Sequence, residues 1–442
     1  MSLFTWAPGL VWSLMGQAHA SESQVWVRNH TQKTLHVAST VQSGETWAEG
    51  REWTSQQQVI EPGKVGEVMR FTRRKRDVKS SPIFLVNTLT IDGVDDALEL
   101  RTSLKRSFCS TSMESGLGGL GASELRWGES DIAFTVRREM EQRNMGGFPF
   151  CQGGNERIEL IIEPDHPLPV APKPGPDDLQ IMAYNIWYLV GKPRQNSRWE
   201  GIVEVVSGND VVVFSEAFKE RYRTLIMDRI RDEYPYMTRV ISGNSVMNGG
   251  VFVASRWPFE GLEPDSSGLY RAPQYIFSGR ECAGEDCWAS KGIQYVIIKK
   301  NGRNFHLFAT HLQSTDPVFR SNNQAFDAMI RQTESVGRWV GEWNISKEEP
   351  VLIAGDLNFD GNDAELSTRV LDNMGALMPK RVGPIQHSFM MANPASAAQA
   401  LDYVLYSRYH RAPTQAEQTI LLPAGMLSDH FPVRALYRFG EP

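Results

Sequence analysis

Two short stretches of this chain set polar chemistry directly against apolar runs. Ser428-Asp429-His430 precedes Phe431-Pro432-Val433, and Gly355-Asp356-Leu357-Asn358 follows Val351-Leu352-Ile353-Ala354. A histidine beside an aspartate supplies a proton acceptor. An aspartate and an asparagine two positions apart supply oxygen ligands for a hard cation. Together these groups suit metal-assisted cleavage of a phosphoester.

The pattern recurs where other apolar runs end. Val211 to Phe214 leads into Ser215-Glu216, Phe305 to Thr310 leads into His311, and Asn185 lies on the run that begins at Ile181. Asp402 stands just before the Tyr403 to Tyr406 run. Taken singly, each has an ordinary reading: an Asp/Asn/Gly turn over 355–363, a helix cap at Glu216, a core histidine at His311, a turn residue at Asp429. Their repetition within one region argues for a shared site. If the strands that follow Asp402 and His430 run opposite to the others, all these segments open at one pole.

The chemistry assigns roles. Magnesium keeps several waters and needs only one or two carboxylates. Glu216 is therefore the expected principal ligand, with Asn185, Asp356 and Asp429 in support. His430 is expected to take a proton from the attacking water, with Asp402 fixing its tautomer. His311 is placed to donate to a phosphoryl oxygen or to protonate the departing alkoxide. Asn358 offers an amide to the charge that develops on phosphorus.

Positioning these groups needs a scaffold, and 442 residues exceed one ordinary core. The break falls at Leu168 to Pro176, a proline-rich connector. Residues 21–167 are rich in strand-like runs separated by Gly, Asn and Ser, which predicts a small β-sandwich; Ser112 to Gly121 reads as a loop within it. Residues 177–442 alternate strands and helices. Phe218, Tyr222, Leu225, Ile226 and Ile230 share one helical face, and Phe326, Met329, Ile330, Thr333, Val336 and Val340 share another, with Ser321 as the N-cap. Strands this apolar on both faces predict an α/β layered sandwich.

Residues 1–20 read as a signal peptide, apolar from Leu3 to Gly16 and ending in Ala18-His19-Ala20, although no Lys or Arg precedes the apolar part. Secretion follows, and an oxidising compartment suits a Cys282–Cys287 bond, leaving Cys109 and Cys151 for each other. With 46 basic and 52 acidic residues the chain has no global attraction for nucleic acid. The basic run Arg73-Arg74-Lys75-Arg76 reads as a solvated strand edge or a lipid-headgroup contact.

Met182-Ala-Tyr-Asn185, Ser215-Glu216, Asn248-Gly-Gly-Val251, Thr310-His-Leu-Gln313, Gly355-Asp-Leu-Asn358, Leu401-Asp-Tyr403 and Ser428-Asp-His430 occur in the order typical of the DNase I-like phosphodiesterases. Residues 177 to 440 resemble that endonuclease/exonuclease/phosphatase superfamily. Within it the chain looks most like the secreted bacterial neutral sphingomyelinases, through Lys291-Gly-Ile-Gln-Tyr295, Ala309 to Ser314, Asp316 and Arg331-Gln332. The resemblance implies a four-layer α/β sandwich and Mg²⁺-dependent hydrolysis of sphingomyelin to ceramide and phosphocholine, with haemolysis. It implies Glu216 as metal ligand, Asn185, Asp356 and Asn358 at the metal or phosphate, Asn248 at the phosphate, His311 as acid and His430 as base. The expected partner is a sphingomyelin-containing membrane surface, with no stable nucleic-acid partner and a monomeric chain.

Two points depart from that family. The span between Leu401-Asp402-Tyr403 and Ser428 carries no Trp or Phe, where the family places a membrane hairpin. Tyr270, Tyr275, Phe277 and Trp288 instead gather around Cys282 and Cys287, either to meet a lipid interface or to pack over their own loop. A secreted endonuclease of the same superfamily is the alternative function, and it would need Arg and Lys around the active pole.

Overall fold

The computed structural model divides the chain into two compact units, residues 1–166 and 167–442. In the second it describes residues 174–189, 198–315, 322–383, 385–389, 399–422 and 427–440. In the first it describes the strands between Ser21 and Pro164 with their adjoining turns. Residues 1–20, most of the connector, the basic run from Arg74 on, Cys109, Cys151, Asp316 and Ser321 lie outside the described residues.

The first unit is a β-sandwich of a six-stranded and a five-stranded sheet. Its core interleaves Val25 and Val27 with Leu35, Leu89, Leu100, Val136, Ile158 and Leu160. The strand Ser21–Asn29 is flanked by Val65–Arg73 and by the last strand of the unit, Asn155–Pro164, to which it runs parallel. Thr111–Leu117, read from sequence as part of a loop, is a strand paired with Leu98–Arg106. Small residues hid it, and Leu117 at its end reaches the core.

The second unit is a four-layer sandwich. One sheet of seven strands contains Phe252–Ser255, Val211–Ser215, Asp178–Asn185 and Val433–Arg438 side by side. The other, of six, contains Gly292–Lys300, Arg303–His311, Val351–Asp356 and Asp402–Ser407. Each central strand alternates between two cores. Ile181, Ala183, Val211 and Val213 meet Leu307, Leu352, Ala354 and Val404 between the sheets. Met182, Val212 and Phe214 face outward onto Ile202, Tyr222, Ile226 and Ile230 of two helices, Arg198–Val206 and Glu220–Ile230. Phe308 and Ile353 face the long helix Asn322–Glu342 through Met329, Val336 and Val340. Phe218 falls before its helix rather than on it.

Strand direction and register then do the positioning. Asp178–Asn185 runs parallel to Val211–Ser215, and Arg303–His311 parallel to Val351–Asp356. Val433–Arg438 and Asp402–Ser407 run the other way. Asn185 sits opposite Ser215, His311 opposite Asp356, and Asp356 opposite Asp402. By the same alternation that buries Ala183, Ala309, Ala354 and Val404, all five side chains belong to the face between the sheets, at one pole.

Gly355 allows that row to form. Its φ is +141°, and a Cβ there would lie 1.8 Å from the Thr310 carbonyl oxygen. Any side chain forces the two parallel strands apart beside His311 and Asp356. Gly355→Ala is expected to cost about 2 kcal/mol or more in urea unfolding, against a near-neutral result at the open Gly341.

Candidate active site

The pole holds four carboxylates, two histidines, two asparagines and a lysine. Asp356, Asp402, His311, His430, Asn185, Asn358 and Lys291 are buried, whereas Glu216 and Asp429 are half-buried at the rim.

His430 is held from both ends. Its Nδ1 lies 2.7 Å from Asp402 Oδ2, which also accepts from Ser388 Oγ at 2.7 Å. Its Nε2 lies 3.8 Å from Asp356 Oδ2 and 3.4 Å from the Asn185 amide. With Asp402 accepting from Nδ1–H, the opposite nitrogen faces the acidic row. Burial works against the proton on His430, but the charges of Asp402 and Asp356 outweigh it and hold its pKa well above 6.5. Burial raises Asp402 to about 6, although the His430 charge opposes the rise.

His311 is the electrostatic opposite. Burial first, then the charges of Lys291 and His430, keep it well below the ordinary histidine value. Lys291 Nζ donates to Asp286 Oδ2 and to Leu312 O, both at 2.8 Å, and lies 3.2 Å from His311 Nε2. The same Nε2 is 3.5 Å from Asp356 Oδ2, while Nδ1 is buried without a partner among the described residues. The structure thus presents His311 as a neutral ring next to an ammonium, a geometry that lets it receive a proton before passing one on.

The asparagines divide the work. Asn185 donates to Asp356 Oδ2 at 2.9 Å and accepts from Trp187 N at 3.0 Å. Asn358 adopts φ +51°, its backbone N–H donating to Asp356 Oδ1 and its amide to Leu312 O. Asn248 sits elsewhere in the network. It donates to Phe218 O and accepts from Gly250 N, and Gly250 O accepts from Ala217 N. Both ends of its amide are committed to the loop that supports Glu216.

Glu216 closes the cluster at φ +54°. Its Oε2 is buried with no hydrogen-bond partner among the described residues, and so is Asp402 Oδ1. Burial pushes the Glu216 carboxyl up to about 8, with Asp429 and Asp356 adding to the rise against His430. Burial likewise raises Asp429. Orphaned carboxylate oxygens beside other carboxylates fit a hard divalent cation. Asp356, Asp402 and His430 bring one ligand atom each within 4.8 Å of one another. Asp402 Oδ2 already takes two donors there, so Glu216, Asp356, Asp429 and Asn185 remain the better cation holders.

Sequence reasoning missed the hydroxyls. Ser388 Oγ also accepts from Asp402 N at 3.0 Å, and Ser428 Oγ donates to Asn185 O at 2.7 Å and accepts from His430 N at 3.1 Å. Lys291 entered only through a family motif. A lone lysine opening the apolar Gly292–Lys300 strand was the available signal. The Cys282–Cys287 bond is formed, and it closes the loop that carries Asp286. Around it Phe277 is buried and Tyr270 packs on Tyr236 and Phe259, but Trp288 is 58% exposed.

A four-layer α/β sandwich whose strand ends gather acidic, histidine and amide groups at one pole defines a class, and the sequence confirms it. The profile of the Endonuclease/Exonuclease/phosphatase family matches residues 182–430, and the chain belongs to that family. Sphingomyelinase C 2 of Leptospira interrogans is 28% identical over 300 residues, 58% of this chain and 45% of that protein. The crystal structure of sphingomyelinase C from Streptomyces griseocarneus is 27% identical with a TM-score of 0.52, covering 59% of this chain and 99% of that one. A beta toxin mutant from Staphylococcus aureus, crystallised with bound magnesium ions, is 25% identical with a TM-score of 0.52, over 59% of this chain and 99% of that one. The chain spans about half the length of the curated Leptospira relatives it matches.

The carboxyl shifts carry a sign that can be tested. Glu216 is raised from 4.5 to about 8. The folded protein therefore holds a proton that the unfolded chain releases, and its stability falls as pH rises through that window. A cation that satisfies the cluster removes the penalty. Thermal melts are expected to show a larger gain on adding Mg²⁺ over EDTA at pH 8 than at pH 5. An equal gain at both would detach Glu216 from cation binding.

Proposed function

We propose that this chain is a secreted, magnesium-dependent phosphodiesterase that hydrolyses sphingomyelin to ceramide and phosphocholine at a membrane surface. The observation that carries the reading is the Asp402–His430 bond at 2.7 Å, with the far ring nitrogen turned toward Asp356 and Asn185. Relatives named sphingomyelinase C support the choice of substrate.

A bound magnesium ion would add positive charge to the acidic cluster and to a phosphoryl oxygen. Glu216, Asp356, Asp429 and Asn185 would hold it. With Asp356 and Asp429 offset, His430 loses part of what keeps its proton on and takes one from a water at Nε2. Asp402 and Ser388 hold the ring through that change. Asn358 and Asn185 turn amide hydrogens toward charge gathering on phosphorus. His311, taking a proton from the Lys291 ammonium as charge builds on the departing ceramide oxygen, passes a proton to that oxygen and ends as the neutral ring, with Lys291 left as the neutral amine. Asn248 acts through the Glu216 loop.

Trp288, with Val246 at 91% exposure, supports the membrane as partner. The two lie on loops joined by the bond from Met247 N to Trp288 O. Exposed indole favours the headgroup region. Release of phosphocholine from an outer leaflet makes haemolysis an expected consequence.

The deciding experiment incubates the protein with sphingomyelin vesicles, phosphatidylcholine vesicles and plasmid DNA, with Mg²⁺ and with chelator. Phosphocholine release from sphingomyelin, abolished by chelator, is expected; plasmid nicking without it would indicate a nuclease instead. His430→Ala should lower turnover about 10³-fold with the fold intact. Trp288→Ala should slow hydrolysis of vesicles while leaving a soluble phosphocholine ester unaffected.

A further inference from the structure

Arg198 is a buried guanidinium that the mechanism above leaves unused. It opens the helix Arg198–Val206 and is 9% exposed. One arm, Nη2, donates to Trp187 O at 2.9 Å, and the other, Nη1, donates to Leu427 O. Its plane lies over the rings of Tyr188 and Trp187, 4.9 Å and 5.3 Å from their centroids. Nε is buried with no partner among the described residues.

The two carbonyls it joins belong to the two segments that must meet for the site to exist. Trp187 ends the turn whose backbone N–H orients Asn185. Leu427 adjoins Ser428, Asp429 and His430. Beyond Arg198, the side-chain ties between these segments among the described residues are Ser428 Oγ to Asn185 O and the 3.4 Å contact of the Asn185 amide with His430 Nε2. The seat is shaped for this contact: a Cβ on Gly201, one turn along the helix, would lie 2.6 Å from Leu427. A planar fork with fixed donor directions suits two carbonyls on separate segments, and a flexible ammonium does not.

We propose that Arg198 is a positioning residue, a two-armed latch that sets the Asn185 turn against the Ser428–His430 segment and so preforms the cation site. The inference rests on the phosphodiesterase reading for its kinetic arm only; its binding arm stands alone. Charge and position predict opposite outcomes, which makes the idea testable. Removing a cation near Asp429 and Glu216 would, by charge alone, tighten Mg²⁺ binding. Loss of a latch weakens it.

The test measures Mg²⁺ affinity by calorimetry on the full chain for Arg198→Met and Arg198→Lys, with kcat and KM on a soluble phosphocholine ester. We expect both variants to bind Mg²⁺ about 10- to 100-fold more weakly, the range for groups that orient ligands. We expect kcat to fall with KM nearly unchanged. Should Arg198→Met not fold, Arg198→Lys and Arg198→Gln serve, each keeping a donor but not the fork. Tighter or unchanged Mg²⁺ binding in the folded variants, or full rescue by lysine, overturns the latch. If the parent protein binds Mg²⁺ but cleaves no phosphocholine ester, the functional reading fails while the latch is still judged by affinity.

Discussion

Like charges crowded at one buried pole set the terms for the rest of the catalytic unit. Glu216, Asp356, Asp402 and Asp429 lie where two sheets end, and burial first, then neighbouring carboxylates, raise Glu216 and Asp402. Protein groups answer part of it. His430 stands between Asp402 and Asp356, Lys291 stands beyond His311, and Arg198 lies behind Asp429. Each of these cations is itself buried and fixed by further bonds, so the compensation cannot drift. What is left over falls on Glu216 Oε2 and Asp402 Oδ1, both buried with nothing to accept from among the described residues.

The scaffold explains why such a cluster survives. Asn185, His311, Asp356 and Asp402 extend rows of the two sheets beyond the last apolar pair, and Glu216, Asn358, Asp429 and His430 stand within four residues of a strand end. Tight packing of Val213, Leu307, Leu352 and Val404 between the sheets fixes the spacing of the rows. Exceptional backbone appears where the chain must turn from row to site: positive φ at Glu216, Trp187, Asn358 and Gly355. Strain concentrated at the ends of otherwise regular strands marks the boundary between parts that hold and parts that react.

Much of this was legible beforehand because apolar runs and period-two alternation are local signals. Reading Asn185, Ser215, His311 and Asp356 as strand ends sufficed to gather them at one pole, once Asp402 and His430 were placed on strands of opposite direction. The supporting contacts were not legible. Ser388, Ser428 and Arg198 act through hydroxyls and through carbonyls of distant segments, and a carbonyl has no signature in sequence. Thr111–Leu117 escaped for another reason: glycine and serine satisfy a strand's hydrogen bonds without advertising it. Asn248, a motif residue expected at the phosphate, has both amide ends bonded to backbone, which its sequence neighbours do not announce either.

The N-terminal sandwich imposes an order of events on its own assembly. Its opening strand, Ser21–Asn29, lies inside a sheet and finds one of its two neighbours only in Asn155–Pro164, the strand that completes the unit. A chain emerging from its amino end would carry that strand, with Val25, Trp26 and Val27 at its centre, one edge bare through more than a hundred residues of growth. The sandwich seals only when its end arrives, so closure couples the two extremes of the unit in a single late step.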